Sequence, residues 1–183
     1  SDAHEGLCDA ISKEFPQAAW QRCQFHFSKN IAEKAPKKYQ AGIRSELSEM
    51  FNCATIEEAR RKRDSIIADY QDVAESAMTC LDEGFESSMT AMILPKYLRQ
   101  YFRTSNHIER INRELKRRSK VIGVFPNEAS ILRLMGSVLM ELNDAAQARK
   151  ALFSPKTYNK LMSTEVKNKL IILANEQHLL RVS

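Results

Sequence analysis

The sequence predicts a mainly helical fold with at most one short strand, over residues 19–27. Three observations lead there. Apolar residues recur at three- and four-residue spacing through most of the chain, helix-opening signatures precede several of these runs, and only one stretch alternates with a period of two.

Taken in order, Asp2 with Glu5 reads as a capping box opening a helix whose apolar positions are Ala3, Leu7, Ile11 and Phe15, ended by Pro16. Residues 19–27 alternate Trp20, Arg22, Gln24 and His26 against Gln21, Cys23, Phe25 and Phe27, the strand period. On a strand Cys23 and His26 would face opposite sides. Two soft ligands also fall short of the four a structural zinc takes, so the pair reads as a group that packs and orients its surroundings, and Trp20 as a core aromatic. Pro36 opens a segment carrying Tyr39, Ile43, Leu47 and Phe51, and Thr55 with Glu58 is a second capping box, ahead of Ala59, Ile66, Ile67 and Tyr70. Val73, Ala77, Cys80 and Leu81 continue the pattern to Gly84, which reads as a C-terminal cap. Beyond the helix expected from Asn106, Gly123 and Pro126 interrupt, and Asn127 can cap a helix that places Ile131, Leu132, Met135, Val138, Leu139 and Leu142 in a core. Residues 154–183 read as two further helices divided near residues 163–164.

With 183 residues, 43% of them apolar, the chain can bury a core as one domain or one domain with an insertion. It holds no apolar run of membrane-spanning length and no signal-peptide pattern, so the expected location is cytoplasmic with no membrane partner. The cysteines, Cys8, Cys23, Cys53 and Cys80, include no Cys-x-x-Cys pair and suit a reducing compartment. No internal repeat, low-complexity tract or glycine-rich phosphate loop is present.

Charge is concentrated in one place. Residues 103–120 hold seven Lys/Arg, namely Arg103, Arg110, Arg113, Lys116, Arg117, Arg118 and Lys120, against Glu109 and Glu114. The local balance of +5 equals the formal net charge of the whole chain, so the remainder is neutral. Such a surface is the footprint of a polyanion, with nucleic acid the leading partner. On a helical wheel Ile108, Ile111, Leu115, Ser119 and Ile122 form an apolar stripe expected to pack on a core. Glu109, Asn112, Arg113, Lys116 and Lys120 line one flank; Arg110, Glu114, Arg117 and Arg118 lie toward the back and the other. The two glutamates point about 140° apart, so one site can recruit only one of them. A simpler role exists for each acid: Asn106 as N-cap makes Glu109 the partner in a capping box, and Asp2 can cap its own helix. The second basic run, residues 60–63, reads first as a solvated face and second as a DNA contact.

The run Arg103-Thr-Ser-Asn-His-Ile-Glu-Arg-Ile-Asn-Arg-Glu-Leu-Lys-Arg-Arg, followed by Val121-Ile-Gly-Val-Phe-Pro-Asn and Arg133-Leu, resembles the C-terminal catalytic region of Mutator-family transposases of bacterial insertion sequences. Ser1-Asp-Ala-His-Glu-Gly-Leu resembles the family's motif around its second catalytic aspartate, and Trp20-Gln-Arg-Cys-Gln-Phe-His its Cys-x-x-His block. The resemblance implies a DDE recombinase on an RNase H-like α/β core carrying an all-helical insertion. It makes Asp2 the second acid and Glu109 the third, with Glu114 as runner-up and Cys23, His26, Asn106 and Asn112 as supporting positions. Two Mg²⁺ (or Mn²⁺) ions held by such carboxylates would promote in-line displacement at phosphorus.

The implied organisation is residues 1–27 as part of the RNase H-like core, 28–102 as the helical insertion, 103–145 as C-terminal core helices and 146–183 as a helical tail. With the first acid absent, the expectation is a fragment inactive alone, whose parent acts on transposon ends and target DNA as a homo-oligomer. A non-catalytic DNA-binding remnant and a helical interaction module whose charges only solvate it stay open as alternatives.

Overall fold

The computed structural model describes residues 1–148 and 153–182, and these form ten α-helices and one 3-10 turn, with no strand among the described residues. The chain divides into two compact units, Ser1–Thr104 together with Leu161–Ser183, and Ser105–Lys160.

The first unit is built on four helices: α2 (Gln24–Glu33), α3 (Lys37–Phe51), α4 (Ile56–Tyr70) and α5 (Glu75–Ser88). Each touches the next in sequence, and α5 returns to α2, closing the bundle. Phe27, Ile31, Ile43, Leu47, Ile66 and Phe85 meet inside it with no exposed surface. Each such side chain contributes about 1.5–3 kcal/mol through removal from water. The predicted capping box opens α4: Thr55 Oγ1 accepts the Glu58 amide at 3.2 Å, and the Glu58 carboxylate accepts the Thr55 amide at 3.4 Å.

Gly84 is not a cap. It lies inside α5, where a Cβ would stand 2.6 Å from Phe27 Cζ and 2.5 Å from Arg22 Nη1. The glycine therefore admits the Phe27 ring to the core rather than ending the helix.

Residues 19–27 also differ from expectation. The chain runs extended only to Cys23 and turns into α2 at Gln24. Helical spacing then sends Phe27 inward and leaves Phe25 57% exposed, whereas strand alternation would have put both on one face. The extended part still finds a partner. The Ser1 nitrogen donates to the Gln21 carbonyl at 2.9 Å and the Cys23 amide donates to the Ser1 carbonyl at 2.7 Å, which is one rung of a parallel ladder. A single rung is too short to register as a strand.

Helix α1 (Glu5–Glu14) begins three residues after Asp2, with His4 in the cap position, so Asp2 is not its cap. The Asp2 carboxylate instead accepts the Ala3 amide at 2.8 Å. After α5, a 3-10 turn (Thr90–Ile93) leads to α6 (Lys96–Phe102). The last helix, α10 (Thr164–Val182), returns to this unit, where Gln177 accepts the Trp20 amide at 2.7 Å and donates to the Trp20 carbonyl at 2.9 Å.

The second unit is a helical hairpin of α7 (Asn106–Ile122) and α8 (Glu128–Gln147), followed by α9 (Pro155–Leu161), which ends at the division between units. Gly123, at φ 76°, ends α7 in the left-handed region. Asn127 caps α8 as its sequence predicts, accepting the Ser130 amide at 2.9 Å. The apolar stripes, however, are not enclosed. None of the described side chains of α7 is buried and Val138 is the buried residue of α8, while Ile108 is 61% and Leu132 71% exposed. Two amphipathic helices cover only part of each other's apolar face. Of the expected tail, residues 149–152 and 183 lie outside the described residues; α9 and α10 flank the predicted break near 163–164. No helix among the described residues is long and apolar enough to cross a membrane.

Candidate nucleic-acid interface

Six of the seven cations of the basic run, Arg110, Arg113, Lys116, Arg117, Arg118 and Lys120, lie on α7. Straight-chain Arg, Lys, Glu and Leu are good helix formers, so the same residues that charge this segment also fold it. Arg103 sits elsewhere, at the end of α6 in the first unit, with Nη1 donating to Asn52 Oδ1 at 2.9 Å.

The six divide by their partners. Arg117 grips Glu114 through two hydrogen bonds of 2.6 and 2.9 Å, and Arg118 bridges Glu114 and Glu141 at 2.9 Å each. Hydrogen bonds from both guanidinium groups hold the Glu114 carboxyl down at about 2. Arg110, Arg113, Lys116 and Lys120 have no carboxylate within ion-pair distance among the described residues. Arg110, Arg113, Glu114 and Arg117 also line a groove of about 670 Å³ whose other wall includes Leu139, Leu142 and Asn143 of α8. Uncompensated cations beside a groove concentrate positive potential there, the property that attracts phosphate.

The other basic run behaves differently. Arg60 forms a bidentate pair with Glu86 at 3.1 and 3.2 Å, Lys62 reaches Glu49 at 2.9 Å and Glu46 at 3.4 Å, and Arg63 meets Asp64 at 2.6 Å. Three of these four cations are offset by acids within the bundle, which favours the solvated-face reading of residues 60–63.

Glu109 occupies the first turn of α7, but the capping box around it does not form. Asn106 is the first helical residue rather than the cap, Ser105 flanks the helix, and the Glu109 amide bonds the Ser105 carbonyl at 3.0 Å. The Glu109 carboxylate accepts the Ser105 hydroxyl, so the side-chain bond runs opposite to a cap. Asn106 and Asn112 are both exposed on this helix. Asp2 is exposed as well, placed between the Ser1 rung and α1. Cys23 is buried in the N-cap position of α2, and His26 follows in its first turn, so both belong to one helix end instead of opposite strand faces.

Comparison with known proteins bears on these features together. The family model described as "Transposase, Mutator family" matches residues 1–148. The chain is 40% identical over 146 residues to the transposase for insertion sequence element IS256 in transposon Tn4001 of Staphylococcus aureus, covering 79% of this chain and 37% of that protein. It is 36% identical over 149 residues to the transposase for IS406 of Burkholderia multivorans and 35% identical over 144 residues to that for IS1081 of Mycobacterium tuberculosis. Coverage of this chain is 79% in both, and of those proteins 37% and 35%. The chain therefore spans little more than a third of the length of these curated relatives. No solved structure matches it. The match takes in Asp2, the Cys23 and His26 pair, Glu109 and the whole of α7 and α8, and on that ground the chain belongs to the Mutator family of transposases.

Proposed function

We propose that this chain is part of a DDE transposase that cuts and joins DNA strands during movement of an insertion sequence. The observation that carries the reading is the set of cations on α7, Arg110, Arg113, Lys116 and Lys120, that have no carboxylate within ion-pair distance among the described residues. In this reading Arg110, Arg113, Lys116 and Lys120 bind the phosphate backbone without regard to sequence, and Arg117 and Arg118 contribute what their pairs with Glu114 leave over.

Glu109 is the third acid and Asp2 the second. The Ser105 hydroxyl bonds the Glu109 carboxylate and the Ala3 amide that of Asp2, and carboxylate oxygens are the hard ligands that Mg²⁺ or Mn²⁺ takes. Glu114 is a poorer ligand because two guanidinium groups already occupy it. When bound, the metal ions supply activation of the attacking hydroxyl and stabilisation of the leaving oxygen. A first carboxylate comes from the larger part of the family's length that this chain does not span. The Ser1 rung and the position of Asp2 just beyond it are consistent with Asp2 at the end of a strand in an RNase H-like sheet. DNA, both transposon ends and target, is the partner, and a homo-oligomer the working assembly. A salt series of duplex binding tests the phosphate contacts, and strand cleavage by the complete protein tests the acids.

A further inference from the structure

We infer that the first unit carries a separate site for unpaired DNA, with bases stacking on Phe25 and Tyr97 and phosphates held by Arg44, Arg103 and Lys96. The inference rests on the DNA-acting reading above and adds a second contact of different chemistry. Two hollows of about 260 and 200 Å³ adjoin on this unit, sharing Phe51, Asn52 and Arg103. The first is lined by Phe25, Ser28, Arg44 and Ser48; the second by Lys96, Tyr97, Arg99 and Gln100. Neither lining contains an Asp or Glu, in a chain that is 28% charged residues. Arg103, one of the three shared residues, is bonded to Asn52 at 2.9 Å.

The aromatic rings are the informative part. Phe25 is 57% and Tyr97 50% exposed, while their helical neighbours Phe27 and Leu98 are wholly buried. An exposed ring beside guanidinium and ammonium groups, with hydroxyls and amides at the edge and no acid, is the composition of a single-strand platform: any base can stack, and any phosphate can pair. A duplex hides its base faces, so rings in shallow hollows gain nothing from it. The hollows are also rigidly built. The Gln24 amide bonds the Arg103 carbonyl at 2.9 Å, and the buried Gln24 side chain donates to the Ser88 carbonyl at 2.8 Å, which ties the start of α2 to the ends of α6 and α5. Arg99 donates to the carbonyls of Leu94 at 2.9 Å and Ala54 at 3.0 Å, so its positive charge meets only neutral acceptors and adds to the potential.

The test is fluorescence anisotropy of the 183-residue chain with a labelled oligothymidylate of about 15 nucleotides, a length matched to one single-strand site, and with a blunt duplex of equal length. Phe25→Leu and Tyr97→Leu keep apolar bulk and remove the ring faces. Each should weaken oligothymidylate binding about tenfold, and the double variant about a hundredfold. Duplex affinity and thermal melting should not change, and Phe25→Trp should restore binding. Oligothymidylate affinity unaltered in the double variant overturns the site, as does a wild-type chain that binds duplex but not oligothymidylate. Failure of the transposase reading would show separately, as full strand cleavage by the Glu109→Gln form of the complete protein.

Discussion

Ser105 and Glu109 are joined twice across the first turn of α7: the Glu109 amide bonds the Ser105 carbonyl at 3.0 Å, and the Ser105 hydroxyl donates to the Glu109 carboxylate. The hydroxyl helps to orient the carboxylate at the start of the helix. Five residues on, Glu114 is gripped by two arginines, Arg117 and Arg118. Glu114 thereby serves as an internal counter-ion to Arg117 and Arg118.

The Glu114 pairs make a pH prediction. Its carboxyl is depressed to about 2, so the stabilisation it provides is complete above the ordinary carboxylate range and is lost as pH falls from there toward 2. Carboxyl-carbon NMR should place its titration near that value, and Arg118→Ala should move it upward. A midpoint in the ordinary range in the unaltered chain would show that the pairs do not persist in solution.

Replacing Arg110, Arg113 and Lys116 with Ala should weaken duplex binding whatever its sequence. Each lost phosphate contact should flatten log affinity against log salt by roughly one unit. The same treatment of Arg60, Lys62 and Arg63 should leave the slope unchanged, because those cations are already paired with acids. Equal effects from the two sets would remove the special standing of α7.

Two glycines should respond to alanine with opposite signs. At Gly84 the new methyl meets the buried Phe27 ring, and overpacking should cost about 1–3 kcal/mol despite better helix propensity. At Gly136, inside α8, nothing beyond its chain neighbours and the helix's own backbone lies within 4 Å of the added Cβ, so propensity alone should stabilise by up to about 1 kcal/mol. Denaturant unfolding followed by circular dichroism distinguishes the two.

Local signals were legible in the sequence wherever the physics is local. The Thr55 and Asn127 caps, the helical periods of α3, α4 and α8, and the break before α10 all depend on residues within a few positions of each other. The failures involve long-range packing. Gly84 looked like a helix end because its partner, Phe27, lies 57 residues away in the chain, and no local rule relates them. Residues 19–27 mixed an extended rung to Ser1 with the first turn of α2, and alternation cannot mark where one becomes the other. The stripes of α7 and α8 were read correctly as amphipathic, but periodicity does not say how much of a stripe its partner covers. The hollows flanking Arg103 have no local sequence signature, because Phe25, Arg44 and Tyr97 are brought together only by the bundle.

The central claim is that Glu109, and not Glu114, is the acid that α7 contributes to strand cleavage. The direct measurement is cleavage of transposon-end DNA by the complete protein with Mg²⁺, comparing Glu109→Gln with Glu114→Gln. Glu109→Gln keeps the size and the Ser105 contact but removes the charge a metal ion needs, so cleavage should fall by orders of magnitude while folding and duplex binding persist. Glu114→Gln should lose only its ion pairs and cleave nearly normally. Cleavage retained by Glu109→Gln and abolished by Glu114→Gln would reverse the assignment, and cleavage retained by both would remove α7 from the catalytic set.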